Sequence, residues 1–313
     1  MKYFIKKIAG LIIALLIVSM LAFLAFEIIP GDPAVAILGT EATETKVEAL
    51  REEMGLNDPL PERYVNWLSD FLKGDMGTSY KYNQPVSELI GDKVPVTFTL
   101  TAIAFVMILL VSVPLGILCA KYENTWIDHF FTAWNQVVMS IPPFFVGMVL
   151  TVVFGLVLRW FTPGGYISYK ESIGGFIGYL ILPAVAVALP KIAMTVKLLR
   201  NSLITEMHQD YIRTAYSRGN SATRVLLCHA FRNGILPVIT FLGMAIADMI
   251  ANSMIVEAVF GIPGIGRSLI SSISGRDYPV VEALILLIAA VILIANTVVD
   301  LLYQKLDKRI EIR

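Results

Sequence analysis

The chain has 313 residues, 56% of them hydrophobic and 16% charged, with 25 basic and 25 acidic side chains that balance to zero. A soluble domain carries roughly 25% charged residues, so this composition and a mean hydropathy of +0.71 exclude one and describe a polytopic membrane protein. Nucleic acid is not suggested as a partner; what informs is how the basic residues distribute among the loops.

Lys2, Lys6 and Lys7 precede an uncharged run of 19 residues from Ile8 to Phe26. At about 1.5 Å per residue such a run just crosses a hydrocarbon core of about 30 Å. The charged start is that of a signal peptide, but the run lacks an early small-residue cleavage site, so residues 1–29 read as a cytoplasmic N-terminus and an uncleaved first span. Residues 30–97, with 12 acidic and 6 basic side chains, read as an external region that folds. Thr45 to Met54 has the pattern of an amphipathic helix stopped by Gly55. Asp58-Pro59 opens a second, running through Tyr64, Val65, Trp67, Leu68 and Phe71 to Gly74, whose aromatics are expected to pack on the outer ends of the spans.

Residues 98–313 read as a five-helix transmembrane core. Val94 to Ala120 is uncharged and makes span two, with Pro114 tolerated because neighbouring helices satisfy the freed carbonyl. A short cytoplasmic turn leads to span three, Phe130 to Leu158, interrupted by SIPPFF at 140–145; adjacent Pro142 and Pro143 predict a kink or a late helix start, serving either a translocation path or plain helix packing. An external loop from Arg159 to Glu171 precedes span four, Ser172 to about Leu199, which carries Pro183, Pro190 and Lys191. The Lys191 ammonium is expected to snorkel to the headgroups rather than pair within the membrane.

Next comes a polar stretch, EMHQDYIRTAYSRGNSATRVLLCHAFRNGILP, at 206–237. Six basic residues against two acidic between Lys197 and Asn233 place it in the cytosol. Tyr211, Ile212, Ala215 and Tyr216 recur at helical spacing, Gly219 stands where a helix ends in the left-handed conformation, and Ser221 is positioned to cap a second helix reaching Asn233. Composition alone makes this a topology signal or a contact with anionic lipid. Span five, Ile235 to Val256, contains Asp248, with Glu257 at its outer end; Ala258 to Pro279 reads as an external loop; span six is Glu282 to Tyr303, followed by Lys305, Lys308, Arg309 and Arg313. Six spans put both termini in the cytosol, with 14 Lys or Arg in cytoplasmic segments against 4 in the two short external loops. Cys119 and Cys228, at or beyond cytoplasmic span ends, read as small apolar fillers.

A chain that hydrolysed ATP itself would need a glycine-rich loop ending in Gly-Lys, and no glycine here precedes a lysine. Any ATP dependence must come from another subunit. His129, His208 and His229 stand in no metalloprotease spacing and no serine elbow is present, so neither a catalytic residue, nor a metal, nor a cofactor of its own is expected. Asp248, an acid within a span, keeps open a proton-coupled secondary transporter. A scaffold role fits a kinked six-span interior least.

DYIRTAYSRG at 210–219 followed by RVLLCHAFRNGILPVIT resembles the signature cytoplasmic loop of permease subunits in bacterial binding-protein-dependent ABC importers, most closely the dipeptide, oligopeptide and nickel subfamily. Asp210, Tyr211, Arg213, Thr214, Ala215 and Gly219 match by position, with Arg218 beside them, as do His229, Arg232, Asn233, Leu236 and Pro237. The general pattern opens Glu-Ala-Ala where this chain has Arg213-Thr214-Ala215, and the spacing from Gly219 to Leu236-Pro237 is longer than in other importers; both are features of the peptide subfamily. PGDP at 30–33, GLNDPLPERYVNWL at 55–68, GDMGTSY at 74–80 with QPV, and Arg276, Asp277, Tyr278 and Pro279 after a glycine-rich turn extend the resemblance. It implies an all-α fold of six transmembrane helices of the ABC importer permease type, with a folded helical external insertion between the first two. It also implies that loop 197–234 docks on a cytosolic ATPase. Implied partners are a second homologous permease, two ATPases holding ATP and Mg, and an extracytoplasmic binding protein, all at a bacterial inner membrane. The implied substrate is a di- or oligopeptide, with nickel or a metal chelate as the alternative. Pro142, Pro143, Asp248 and Glu257 are the candidates for the pathway or its gate.

Overall fold

A computed structural model describes residues 2–28, 33–38, 43–53 and 55–306. Pro30 to Asp32 of the PGDP element, Met54, and Lys308, Arg309 and Arg313 lie outside them. Within the described residues the structure is helical apart from one antiparallel bridge between Thr78 and Pro85. Two compact units form, one from residues 1–95 and 263–294, the other from 96–262 and 295–313.

In the first unit, α1 (Lys2–Ile28) is followed by α2 (Pro33–Leu38), α3 (Glu44–Glu53), α4 (Leu60–Lys73) and α5 (Val86–Gly91). The two helices expected in the external region are α3 and α4. Gly74 closes α4 at φ 95°, its N–H bonding to the carbonyls of Asp70 and Phe71. As expected, the α4 aromatics pack on a span: the Phe23 ring of α1 lies 5.5 Å from Tyr64 and 5.8 Å from Trp67. Tyr64 Oη meets Ser19 Oγ at 2.8 Å, and Arg63 pairs with Glu27 at the end of α1.

The second unit is built around α9. Its elements are α6 (Val94–Lys121), α7 (Trp126–Met139), α8 (Pro143–Leu150), α9 (Ile173–Met207), α10 (Asp210–Ser217), α11 (Ala222–Arg224), α12 (Phe231–Gly234) and α13 (Leu236–Phe260). Helix α9 packs against α7, α8 and α13, and α13 also packs on α8. It begins at Ser172, whose hydroxyl accepts from the Gly175 N–H, and runs two turns beyond the expected Leu199 with Pro183 and Pro190 inside it. Five helices among the described residues are long and apolar enough to cross a bilayer, and α7 with α8 and its π-helical continuation Thr151–Val157 adds a sixth if taken as one broken span.

Span three, expected as one run with a kink or a late helix start at Pro142-Pro143, is two helices meeting at 98°, the second starting at Pro143. A residue before proline is pushed out of the helical region, and Pro142, itself before Pro143, takes φ −63° and ψ 143°. Pro143 then begins α8, where a missing N–H costs nothing. The expected loop from Ala258 to Pro279 also differs: it holds a helix, α14 (Ile265–Ser274), before α15 (Tyr278–Leu306). Gly261, Pro263 and Gly264 read as loop punctuation, yet they end one helix and start the next, and the ten residues between Gly264 and Gly275 are enough for an amphipathic helix.

Helices approach closely where glycine replaces a side chain. A Cβ on Gly116 of α6 would stand 2.8 Å from a methyl of the fully buried Leu199 on α9. Gly116→Val should therefore overpack this contact and cost about 1–3 kcal/mol. Thermal melting in detergent should fall for Gly116→Val and stay unchanged for Gly10→Val, whose Cβ would meet nothing within 4 Å; equal melting of the two would refute a tight α6–α9 contact.

Candidate functional site

The polar stretch at 206–237 folds as two short helical pieces around a glycine turn. Gln209 is extended, Asp210 sits in the first turn of α10 where a carboxylate favours the helix N-terminus, and the helix ends at Ser217. Ile212 and Ala215 are buried at 1% and 6% exposure, while Tyr211, Arg213, Thr214, Tyr216, Ser217 and Arg218 are exposed. Gly219 adopts φ 78° with open space where a Cβ would lie, so the demand for glycine here is conformational rather than steric. Asn220 Nδ2 donates to the Ala215 carbonyl and covers the helix end.

Ser221 stands at the start of the second helical piece but its hydroxyl makes no capping bond, contrary to expectation. Beyond it, α11, a π-helical segment Val225–Ala230 and α12 follow directly to Gly234. Val225 and Ala230, five residues and so one π turn apart, are both fully buried. Tyr211 Oη donates to Glu206 Oε2 at 2.5 Å and accepts from Asn233 Nδ2 at 3.1 Å, tying α10 to the end of α9 and to α12. Partial burial and then the Glu206 carboxylate push the Tyr211 hydroxyl above its usual range. Arg213 pairs with Asp210 only at 3.7 Å and with both side chains exposed, a contact of little energetic weight that leaves the guanidinium facing solvent.

Of the path candidates, Pro142 lies exposed and Pro143 half-buried at the break between α7 and α8. Lys191 does not snorkel: its ammonium bonds Asp248 Oδ2 at 2.7 Å, because α13 packs on α9 and brings a carboxylate within reach, and a paired lysine is cheaper in a span than an unpaired one. Glu257, expected at the outer end of span five, lies in the last turn of α13, three residues before Phe260; it is fully buried and accepts from Thr97 Oγ1. Asp248 and Pro142 therefore face open surface in this chain, and Glu257 does not.

Sequence reasoning missed a further pair. Arg200 of α9 donates from Nε and Nη2 to the two oxygens of Asp128 on α7 at 2.5 and 2.6 Å, and the Asn124 N–H adds a third donor at 3.0 Å. Lys197 Nζ reaches Gln136 Oε1 between the same helices. Arg200 was legible only as one more cytoplasmic charge, since no local pattern links residues 72 positions apart. In the first unit the buried Asp277 accepts from Ser79 Oγ and the Tyr80 N–H, joining two of the segments that carried the family resemblance. Burial first, then Glu282 and Asp277, push the Tyr80 hydroxyl far above its usual range. Among the described residues no three His, Cys, Asp or Glu side chains converge to hold a metal.

A helical bundle with five helices, among the described residues, long and apolar enough to cross a bilayer, and a short amphipathic helix between two of them, is that of a multi-pass membrane protein. The chain belongs to the family described as binding-protein-dependent transport system inner membrane component, whose profile matches residues 112–312, and the corresponding N-terminal family matches residues 1–101. It is 34% identical over 308 residues to a probable peptide ABC transporter permease of Sinorhizobium fredii, covering 98% of each chain. It is 36% identical over 312 residues to the oligopeptide transport system permease AppB of Bacillus subtilis, and 34% over 310 residues to the glutathione transport system permease GsiC of Pectobacterium atrosepticum, covering 99% of each. Membership in a binding-protein-dependent family leaves the proton-coupled alternative at Asp248 without support.

The Asp128–Arg200 pair is nearly enclosed, with the Asp128 side chain 3% exposed. Arg200→Met should strand that carboxylate and cost about 3–5 kcal/mol, whereas Asp128→Leu with Arg200→Met should recover most of the loss. Melting of the three proteins in detergent checks this, and an additive loss in the double variant would mean the two side chains are not coupled.

Proposed function

We propose that this chain forms one half of the transmembrane pathway of an ATP-driven importer of di- or oligopeptides, and that α10 is the coupling helix on which a cytosolic ATPase acts. One observation carries the reading. Helix α10 is anchored by Ile212 and Ala215 and closed by Gly219 at φ 78°, and it holds Asp210, Arg213, Thr214 and Arg218 out to solvent, where a protein groove can take them. The family supports import through a multi-subunit assembly, and relatives named for peptide, oligopeptide and glutathione transport favour peptides over nickel or a metal chelate. The partners are a second homologous permease, two ATPases carrying ATP and Mg, and an extracytoplasmic binding protein, in a bacterial inner membrane with both termini cytosolic.

Closure of the ATPases pushes on α10. The Tyr211 contacts to Glu206 and Asn233 pass that displacement to α9 and α12, and α9 moves with the helices packed on it, α7, α8 and α13. Rigid-body reorientation of packed helices is the expected response, because close-packed interfaces shift between discrete arrangements rather than deform.

Gly219→Val places a β-branched residue at positive φ, at a cost on the order of 1 to 3 kcal/mol confined to the loop. The variant should reach the membrane yet fail to co-purify the ATPase or to support uptake, and Arg213→Glu should behave alike. If α10 touched only lipid, Arg213→Glu would lose about 1 kcal/mol of surface attraction and leave assembly intact; normal co-purification and uptake in both variants would reduce this loop to a topology signal.

Orientation has its own test. Cys228 is exposed and Cys119 buried, so a membrane-impermeant maleimide should label Cys228 alone, and only once the cytosolic face is opened. Labelling of Cys228 in intact cells would invert the topology.

A further inference from the structure

The Lys191–Asp248 pair is placed and exposed unlike a contact that merely joins two helices. Asp248 lies 12 residues into α13 and Lys191 lies 18 residues into α9. At about 1.5 Å per residue Asp248 stands about 18 Å from either end of α13, the middle of that span. Burial is divided unequally: the Lys191 side chain is 16% exposed and that of Asp248 67%. A carboxylate so open in mid-membrane is costly against lipid and belongs on a wet or ligand-facing surface. Lys191 takes only Oδ2, and a carboxylate has acceptor capacity for further donors.

The surroundings of the pair are apolar and adaptable. Met244, Asp248, Ala251 and Ile255, spaced four, three and four residues apart, form one exposed face of α13, and Met194 lies exposed one turn beyond Lys191 on α9. Unbranched thioether side chains accommodate varied shapes. Walls of that kind around one fixed negative charge suit molecules that share an ammonium group and differ in everything else, which is the chemistry of short peptides.

Building on the peptide-importer reading, we infer that Asp248 is the subsite of the translocation path that receives the α-ammonium of a passing peptide, exchanging the Lys191 ammonium for it. The exchange leaves the carboxylate paired at every stage. Lys191 has a second resting place, since its ammonium already lies 6.0 Å from the centre of the Phe241 ring, within cation–π range.

The test uses the complete importer in proteoliposomes and a tripeptide with a free α-amine and a diazirine side chain on its first residue. Wild type should take up the peptide and, on illumination during turnover, carry the label on α13 and α9 near Met244 and Met194. Asp248→Asn should lower uptake at least tenfold and lose that label while the complex still co-purifies. A charge exchange, Lys191→Asp with Asp248→Lys, keeps a bridge between the helices even if Asp248→Asn fails to assemble; it should assemble and still not take up the peptide. Recovery of uptake by the exchanged variant would show the pair to be a structural bridge and overturn the subsite, as would undiminished uptake in Asp248→Asn or label confined elsewhere. Absence of uptake of any peptide by wild type would instead remove the peptide-importer reading and the subsite with it.

Discussion

Helix α9 presents three cations along its C-terminal half, Lys191, Lys197 and Arg200, and each is met by a polar group on a neighbour: Asp248 on α13, Gln136 and Asp128 on α7. Asp128 is nearly enclosed and Lys191 largely so, and a charge taken out of water must find a partner within a few ångströms. That requirement fixes which face of α9 each neighbour covers. It also orients α7, since Asp128 turned by half a turn would lose Arg200. Apolar packing of Leu180, Leu199, Leu203, Met249 and Phe260 fills the space between these contacts without specifying them as sharply.

Helical irregularities in the second unit are concentrated where the chain has to change direction. Pro142 and Pro143 break span three, and π-helical turns follow at Thr151–Val157 and again at Val225–Ala230. A π turn rotates the residues beyond it relative to an α-helix and moves a side chain to another face without ending the helix. In the segment after Ser221 this puts Val225, Leu226 and Ala230 into the core while α10, joined to it by the Gly219 turn, keeps an exposed face. The same arrangement fixes α10 in place, since Ile212 is buried and the Tyr211 hydrogen bonds hold the helix to α9 and α12.

The first unit follows the same rule on a smaller scale. Asp277 is buried because Ser79 and the Tyr80 amide supply its donors, and the Arg63–Glu27 pair and the Phe23, Tyr64 and Trp67 rings hold α4 to α1. Sequence separations of nearly two hundred residues between Ser79 and Asp277 are closed by one hydrogen-bonded carboxylate.

Much of the architecture was legible in the residue pattern, because a bilayer imposes a length on apolar runs and a sign on the loops beside them. The spans, the helices of the 30–97 region, the left-handed turn at Gly219 and the break at Pro142-Pro143 all follow from local rules of hydrophobicity, proline and glycine. The ten-residue α14 escaped because its flanking glycines and proline look the same in a loop as at helix ends. Pairings escaped for a different reason. Lys191 read alone belongs at the headgroups and Arg200 read alone is a topology signal; their carboxylates lie 57 and 72 residues away. Periodicity shows that a residue lies on a face but not which face of another helix it meets, so the partners of Lys191, Arg200 and Glu257 were set by the packing of α6, α7, α9 and α13, where burial makes an unmatched charge too costly to leave.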